Sequence, residues 1–164
     1  MLTNDKEFVR NFAQVALGRM PDRPFLQYQS HRGLLFAGDI DGAAALLPAI
    51  DASDLPLDSK GLAALRQVCA EGKVTEARRM FDRFKEEHGD DLSMAWISHK
   101  IMGLDDEAHE IMAELDKSRE LEALQDFVSY HYFDPSPYPN LVELIKAQVV
   151  EPREPIEMPY RCKT

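Results

Sequence analysis

The chain has 164 residues, enough for one compact domain with a sizeable core. Apolar content is ordinary for a globular protein, which argues against wholesale disorder. With 29 acidic against 19 basic residues the formal charge is −10, a surface that repels phosphate backbones and anionic lipid, so neither nucleic acid nor membrane is expected as a partner.

Met1–Lys6 has no basic stretch leading into an apolar one, so no secretory signal is read there, and no window approaches the roughly 20 apolar residues of a membrane span. A cytoplasmic protein is the expectation. Cys69 and Cys162 make no CxxC pair, and both are expected to be free thiols, Cys69 on a helix face and Cys162 in a tail.

Helical periodicity runs along most of the chain. It predicts helices over Asp5–Arg19, Phe25–Ala37, Asp41–Ile50, Ser59–Ala70, Val74–His88, Leu92–Met102, Asp105–Leu115, Ser118–Tyr132 and Pro139–Gln148. Pro21, Pro24, Gly38, Pro56, Gly72, Gly89, Gly103 and the Asp134-Pro135-Ser136-Pro137 turn punctuate them. Connections this short describe antiparallel helix pairs.

An internal repeat is the most specific signal. Gly38, Gly72 and Gly103 stand 34 and then 31 residues apart, and five residues after each comes Ala43, Ala77 or Ala108. Large apolar residues follow in register: Leu47, Phe81 or Met112, then Ile50, Phe84 or Leu115. Before the glycines, His31, Leu65 and Trp96 share one position and Leu34, Val68 and His99 another. Each glycine suits a left-handed helix end, and each alanine lets two helices approach closely.

On these residues the segment from Pro24 to Asp116 resembles the tetratricopeptide repeat family, with Trp96 as the aromatic of the first helix, the glycines at the turns and the alanines in the second helices. The resemblance implies an all-α, right-handed α-solenoid of about three helix pairs in a single domain. Residues 1–20 form a leading cap helix that faces the repeats through Val9, Ala13 and Ala16, 24–116 the repeats, and 118–164 a C-terminal cap. The closing segment, from Tyr132-Phe133-Asp134-Pro135 through Pro159-Tyr160-Arg161-Cys162, is similar to that of bacterial repeat-containing regulatory proteins, which implies a sensory or regulatory role. Its prolines exclude helix from Glu151 to Tyr160. An extended strap over the last helices is expected, with Ile156, Met158 and Tyr160 covering an open solenoid end.

Residues for catalysis are not found. The chain has no GxSxG, P-loop or GxGxxG, and His109-Glu110-Ile111-Met112-Ala113 lacks the second histidine of a zinc-binding HExxH, so no enzyme activity, cofactor or metal is expected. His31 and His99 read as buried, hydrogen-bonded structural histidines, and His88 as a cation complementing a helix C-terminus.

Binding is better supported. In the architecture the resemblance implies, positions ten and six residues before each turn glycine line a groove, which places Tyr28 and Arg32, Leu62 and Arg66, and Ser93 and Ile97 there, with Lys100 nearby. Arg32 and Arg66 occupy one repeat position on an acidic protein, and guanidinium forks suit carboxylates. The expected function is protein–protein interaction, with an acidic or C-terminal peptide held in the groove. The competing accounts of the arginines are local pairs with acids such as Glu71. Alternative functions are small-molecule sensing around Phe36, Met94, Trp96 and Met102, and self-association into a homo-oligomer through solenoid ends.

Overall fold

The computed structural model describes residues 5–128, 130–148 and 154–163, and all regular structure among them is helical. Helix α1 (Lys6–Arg19) starts where the Asp5 carboxylate accepts the Phe8 N–H, and buries Val9 and Ala13 against α2 (Pro24–Ala37). Arg10 tightens this pair by donating to the Ala37 carbonyl, 2.9 Å away at the C-terminus of α2. Two further hairpins follow: α5 (Leu57–Ala70) with α6 (Val74–His88), and α7 (Leu92–Met102) with α8 (Asp105–Ser118). Helices α2, α5 and α7 pack side by side and form a layer of their own.

The repeat register has a direct physical counterpart. Gly38, Gly72 and Gly103 have φ of +82°, +74° and +74°, the left-handed region where a Cβ is costly. In each turn the next residue's N–H reaches back to a carbonyl of the last helical turn: Asp39 to Leu34, Lys73 to Val68 and Leu104 to His99. That is the Schellman closure, which satisfies carbonyls a helix end otherwise leaves bare. Ala43, Ala77 and Ala108 are at most 1 % exposed, so no larger side chain fits at those crossings. His31, Leu65 and Trp96 are equally buried, one from each repeat.

Two predicted helices are corrected. Asp41–Ile50 is not continuous but divides into α3 (Ile40–Ala44) and α4 (Leu47–Ala52), because Pro48 has no N–H to continue the α3 ladder and instead sits in the first turn of α4. The helix expected over Ser118–Tyr132 is also split. Helix α8 runs on to Ser118 and ends at Arg119, whose φ of +56° reverses the chain, and only α9 (Leu121–Phe127) follows. Residues 130–132 leave the helix, which lets Phe127, Tyr130 and Phe133 surround the Trp96 indole at centroid distances of 4.9, 5.9 and 5.0 Å.

The last helix, α10 (Pro139–Ala147), is anchored by a buried carboxylate. Asp116, 3 % exposed, accepts the Leu141 N–H at 2.8 Å, and its own carbonyl accepts the Asn140 side-chain amide at 2.9 Å. The carboxylate also accepts the Asn140 backbone N–H at 3.3 Å, so it caps two donors at a helix start, where an acid is most useful.

Residues 154–158 have no regular secondary structure, consistent with the exclusion of helix by the prolines, while the part of the expected strap at 151–153 lies outside the described residues. The course of the segment differs from the expectation. It does not cap the end of the helix stack but runs over the inner helices, with the Ile156 N–H donating to the His131 carbonyl and the Cys162 N–H to the Ile101 carbonyl, both at 2.7 Å. Met158, Tyr160 and Cys162 are buried there.

Candidate functional site

Helices α2 and α5 are neighbours, so their equivalent residues Arg32 and Arg66 are brought together on one face. Arg66 is only 2 % exposed. Its Nη1 donates to the Tyr28 hydroxyl at 2.8 Å, its guanidinium lies 5.5 Å from the centre of the Tyr28 ring, and its buried Nε has no hydrogen-bond partner. Arg32 lies 5.9 Å over the Tyr130 ring. Burial disfavours the charge of both guanidiniums and each repels the other, while the Tyr28 hydroxyl accepts from Arg66 and the Tyr28 and Tyr130 rings face the two cations.

Among the described residues no carboxylate pairs with either arginine. Glu71 is engaged elsewhere, by Lys73 at 2.7 Å and by the Gln67 side-chain amide at 2.9 Å. Cation–π contacts contribute about 0.5–2 kcal/mol each and a hydrogen bond to a charged group about 1.5–3 kcal/mol. An unpaired buried guanidinium costs more than that to desolvate. The pair is therefore a basic centre with unspent capacity for an acidic group.

The remaining predicted groove residues separate from this centre. Leu62 and Ile97, 2 % and 7 % exposed, belong to the hydrophobic core rather than to a ligand surface. Lys100 bonds Asp105, which also accepts Arg161 Nη1 at 3.0 Å. Ser93 lies at the start of α7, where its N–H donates to the capping Asp91. Of the seven positions, Tyr28, Arg32 and Arg66 converge.

The closing segment supplies what spacing did not reveal. Tyr160 is 2 % exposed, its ring lies 6.4 Å from that of Tyr132, and Tyr132 lies 6.2 Å from Tyr130, so a run of phenols leads from the ring against Arg32 to the closing segment. Burial, with Tyr160 alongside, pushes the Tyr132 hydroxyl well above the ordinary phenol range, so it stays a neutral donor.

Cys69 and Cys162 are not free thiols: they form a disulfide that ties the closing segment to α5 across 93 residues of sequence. The two sulfurs meet because the segment crosses the end of α7, where Gly103 leaves room for the Cys162 carbonyl. A Cβ at that glycine would lie 3.0 Å from the carbonyl oxygen.

The histidines are held structurally. His31, fully buried, has Nε2 3.1 Å from the Gln67 side-chain oxygen. Gln67 uses its amide nitrogen to donate to Ile40 and Glu71, which leaves its oxygen to accept and puts the His31 proton on Nε2. Burial, with Arg66 nearby, lowers the His31 pKa to about 4. His99 Nδ1 lies 2.6 Å from the Ala95 carbonyl, and its ring meets Phe81 edge-on. His109 Nδ1 is 2.6 Å from the Tyr138 hydroxyl, whose pKa burial pushes up to about 12. Among the described residues no group of three or more His, Cys, Asp or Glu side chains is arranged to hold a metal ion, and no helix is long and apolar enough to cross a membrane.

Comparison with known families, curated proteins and solved structures finds no match for the chain in any of the three.

Proposed function

We propose that this protein is an interaction module: a right-handed solenoid of the tetratricopeptide type whose inner-helix face receives an extended peptide with an acidic side chain or terminal carboxylate. The observation that carries this reading is the closing segment. A stretch without helix or strand already lies on that face, making main-chain bonds to His131 and Ile101 and burying Met158, Tyr160 and Cys162. A surface that accommodates one such stretch has the shape and hydrogen-bonding capacity for another.

The Arg32–Arg66 centre gives the reason for an acidic partner, since a carboxylate would compensate the buried Arg66 and the half-buried Arg32 at once. The sensing alternative is less well supported. Phe36, Trp96 and Met102 are each at most 4 % exposed and belong to one hydrophobic core, with Met94 partly buried against it. Self-association has one feature in its favour, the exposed Phe8, Phe12 and Val15 on α1.

The test is fluorescence anisotropy with labelled ten-residue peptides of acidic, neutral and basic composition. Each is titrated into the wild type and an Arg32→Ala/Arg66→Ala variant, with and without a reductant. The acidic peptide should bind the wild type in at least one redox state, and at least tenfold more weakly to the variant, with circular dichroism confirming that both are helical. Equal affinity for the two proteins, or no binding in either state, would sink the reading.

A further inference from the structure

We propose that the Cys69–Cys162 disulfide is a redox latch that holds the closing segment over the arginine face, and that its reduction frees the segment and opens the face to a partner. The inference rests on the peptide-binding reading above and adds how access to that site is controlled.

The geometry separates what the latch does from what the rest of the segment does. Among the described residues, the closing segment is tied to the helices by the main-chain bonds of Ile156 and Cys162, by Arg161 with Asp105, by three buried side chains and by the disulfide. Arg161 is further braced by Glu157 within the segment itself, at 3.4 Å, and that pair gives nothing to the docking. Ordering about ten residues costs backbone entropy at every one of them, and three buried side chains with a few hydrogen bonds return an amount of similar size. Docking without the covalent bond is therefore close to balance, while the disulfide holds the segment against α5 at one fixed point and so shortens the stretch that can detach.

Position matters as much as energy. Cys162 is two residues beyond Tyr160, whose ring continues the run of phenols that starts at the Tyr130 ring against Arg32, and Cys69 is three residues beyond Arg66 on α5. The bond thus fixes the segment within one helical turn of that centre.

The chemistry balances with an external dithiol. Its thiolate attacks Cys162 Sγ, the Cys69 sulfur leaves as a thiolate and takes up a proton, and the second thiol of the reductant then displaces Cys162. Two electrons pass to the cysteine pair, and the reductant ends as its own disulfide. Both cysteines are at most 4 % exposed, so attack waits on fraying of the segment's end, and reduction should be slower than for an exposed disulfide.

Hydrogen–deuterium exchange read by mass spectrometry tests the proposal on the full chain: oxidised wild type, wild type reduced with a phosphine, and Cys162→Ser. In the oxidised protein the Ile156 and Cys162 amides should be protected. After reduction, and in Cys162→Ser, exchange across residues 154–163 should speed up at least tenfold while α5 and α6 keep their protection, and the same preparations should gain affinity for the acidic peptide. Unchanged protection of 154–163 on reduction and in the variant would overturn the latch and leave the peptide-binding reading standing. Fast exchange with no peptide bound would uphold release of the segment but reject the peptide-binding reading. If Cys162→Ser loses helicity, reduced wild type alone decides, and loss of protection throughout α5 and α6 in it would make the disulfide a staple of the whole fold and overturn the latch.

Discussion

At the scale of single residues, the two buried basic side chains of the inner layer behave oppositely. Arg66 stays charged at any physiological pH and must be tolerated as such, whereas His31 escapes the cost by giving up its proton. Its pKa falls from 6.5 in the unfolded chain to about 4 in the folded one. Between those values the unfolded state binds more protons, so stability rises with pH across the window. It is complete above about 6.5 and lost as the pH falls toward 4. The difference corresponds to roughly 3 kcal/mol. Chemical denaturation at pH 7 and pH 4 should therefore show the wild type losing about 3 kcal/mol more than a His31→Gln variant does over the same interval. Equal losses would mean that His31 is solvated or protonated in the fold.

Among the elements, the three turn glycines share a conformation but not an environment. A Cβ at Gly72 meets nothing within 4 Å, and only the left-handed backbone penalises it, by about 1–2 kcal/mol. At Gly103 the same penalty is joined by a collision with the Cys162 carbonyl oxygen at 3.0 Å, and main chain cannot move aside as a flexible side chain can. Gly103→Ala should then destabilise the protein more than Gly72→Ala does in urea denaturation with the disulfide intact. It should also accelerate amide exchange at residues 160–163, which Gly72→Ala leaves alone. Identical costs and identical exchange would show that the closing segment does not press on the α7–α8 turn.

For the molecule as a whole, the closing segment acts as a long-range constraint. Joining Cys69 to Cys162 closes a loop of 93 residues, and the chain-entropy account assigns such a loop about 4–5 kcal/mol of stabilisation through the unfolded state. Guanidinium denaturation of oxidised wild type against Cys162→Ser should give a loss of about 3–5 kcal/mol, the lower values reflecting residual order in the unfolded chain. A loss below about 1 kcal/mol would mean that the bond neither shrinks the unfolded ensemble nor adds to the fold.

Much of the helical framework was legible in the residues alone, because it depends on local requirements that recur. A left-handed turn selects glycine, a close crossing selects alanine, and a buried stripe selects apolar residues three or four apart, so Gly38, Gly72, Gly103, Ala43, Ala77 and Ala108 announce their own roles. The break at Pro48 was local too and could have been read, since a proline two residues before the end of a predicted helix removes a hydrogen bond. The candidate site was legible only in part. Repeat register aligned Arg32 with Arg66, but no spacing rule relates them to Tyr130, Tyr132 and Tyr160, which come from chain roughly 60 to 130 residues further on. The pairing of Cys69 with Cys162 was likewise beyond reach, since two sulfurs 93 residues apart meet only after the helices have stacked and the segment has crossed them. Tertiary structure decided which predicted groove residues became core and which became a covered basic centre, because burial there is set by the chain that arrives last.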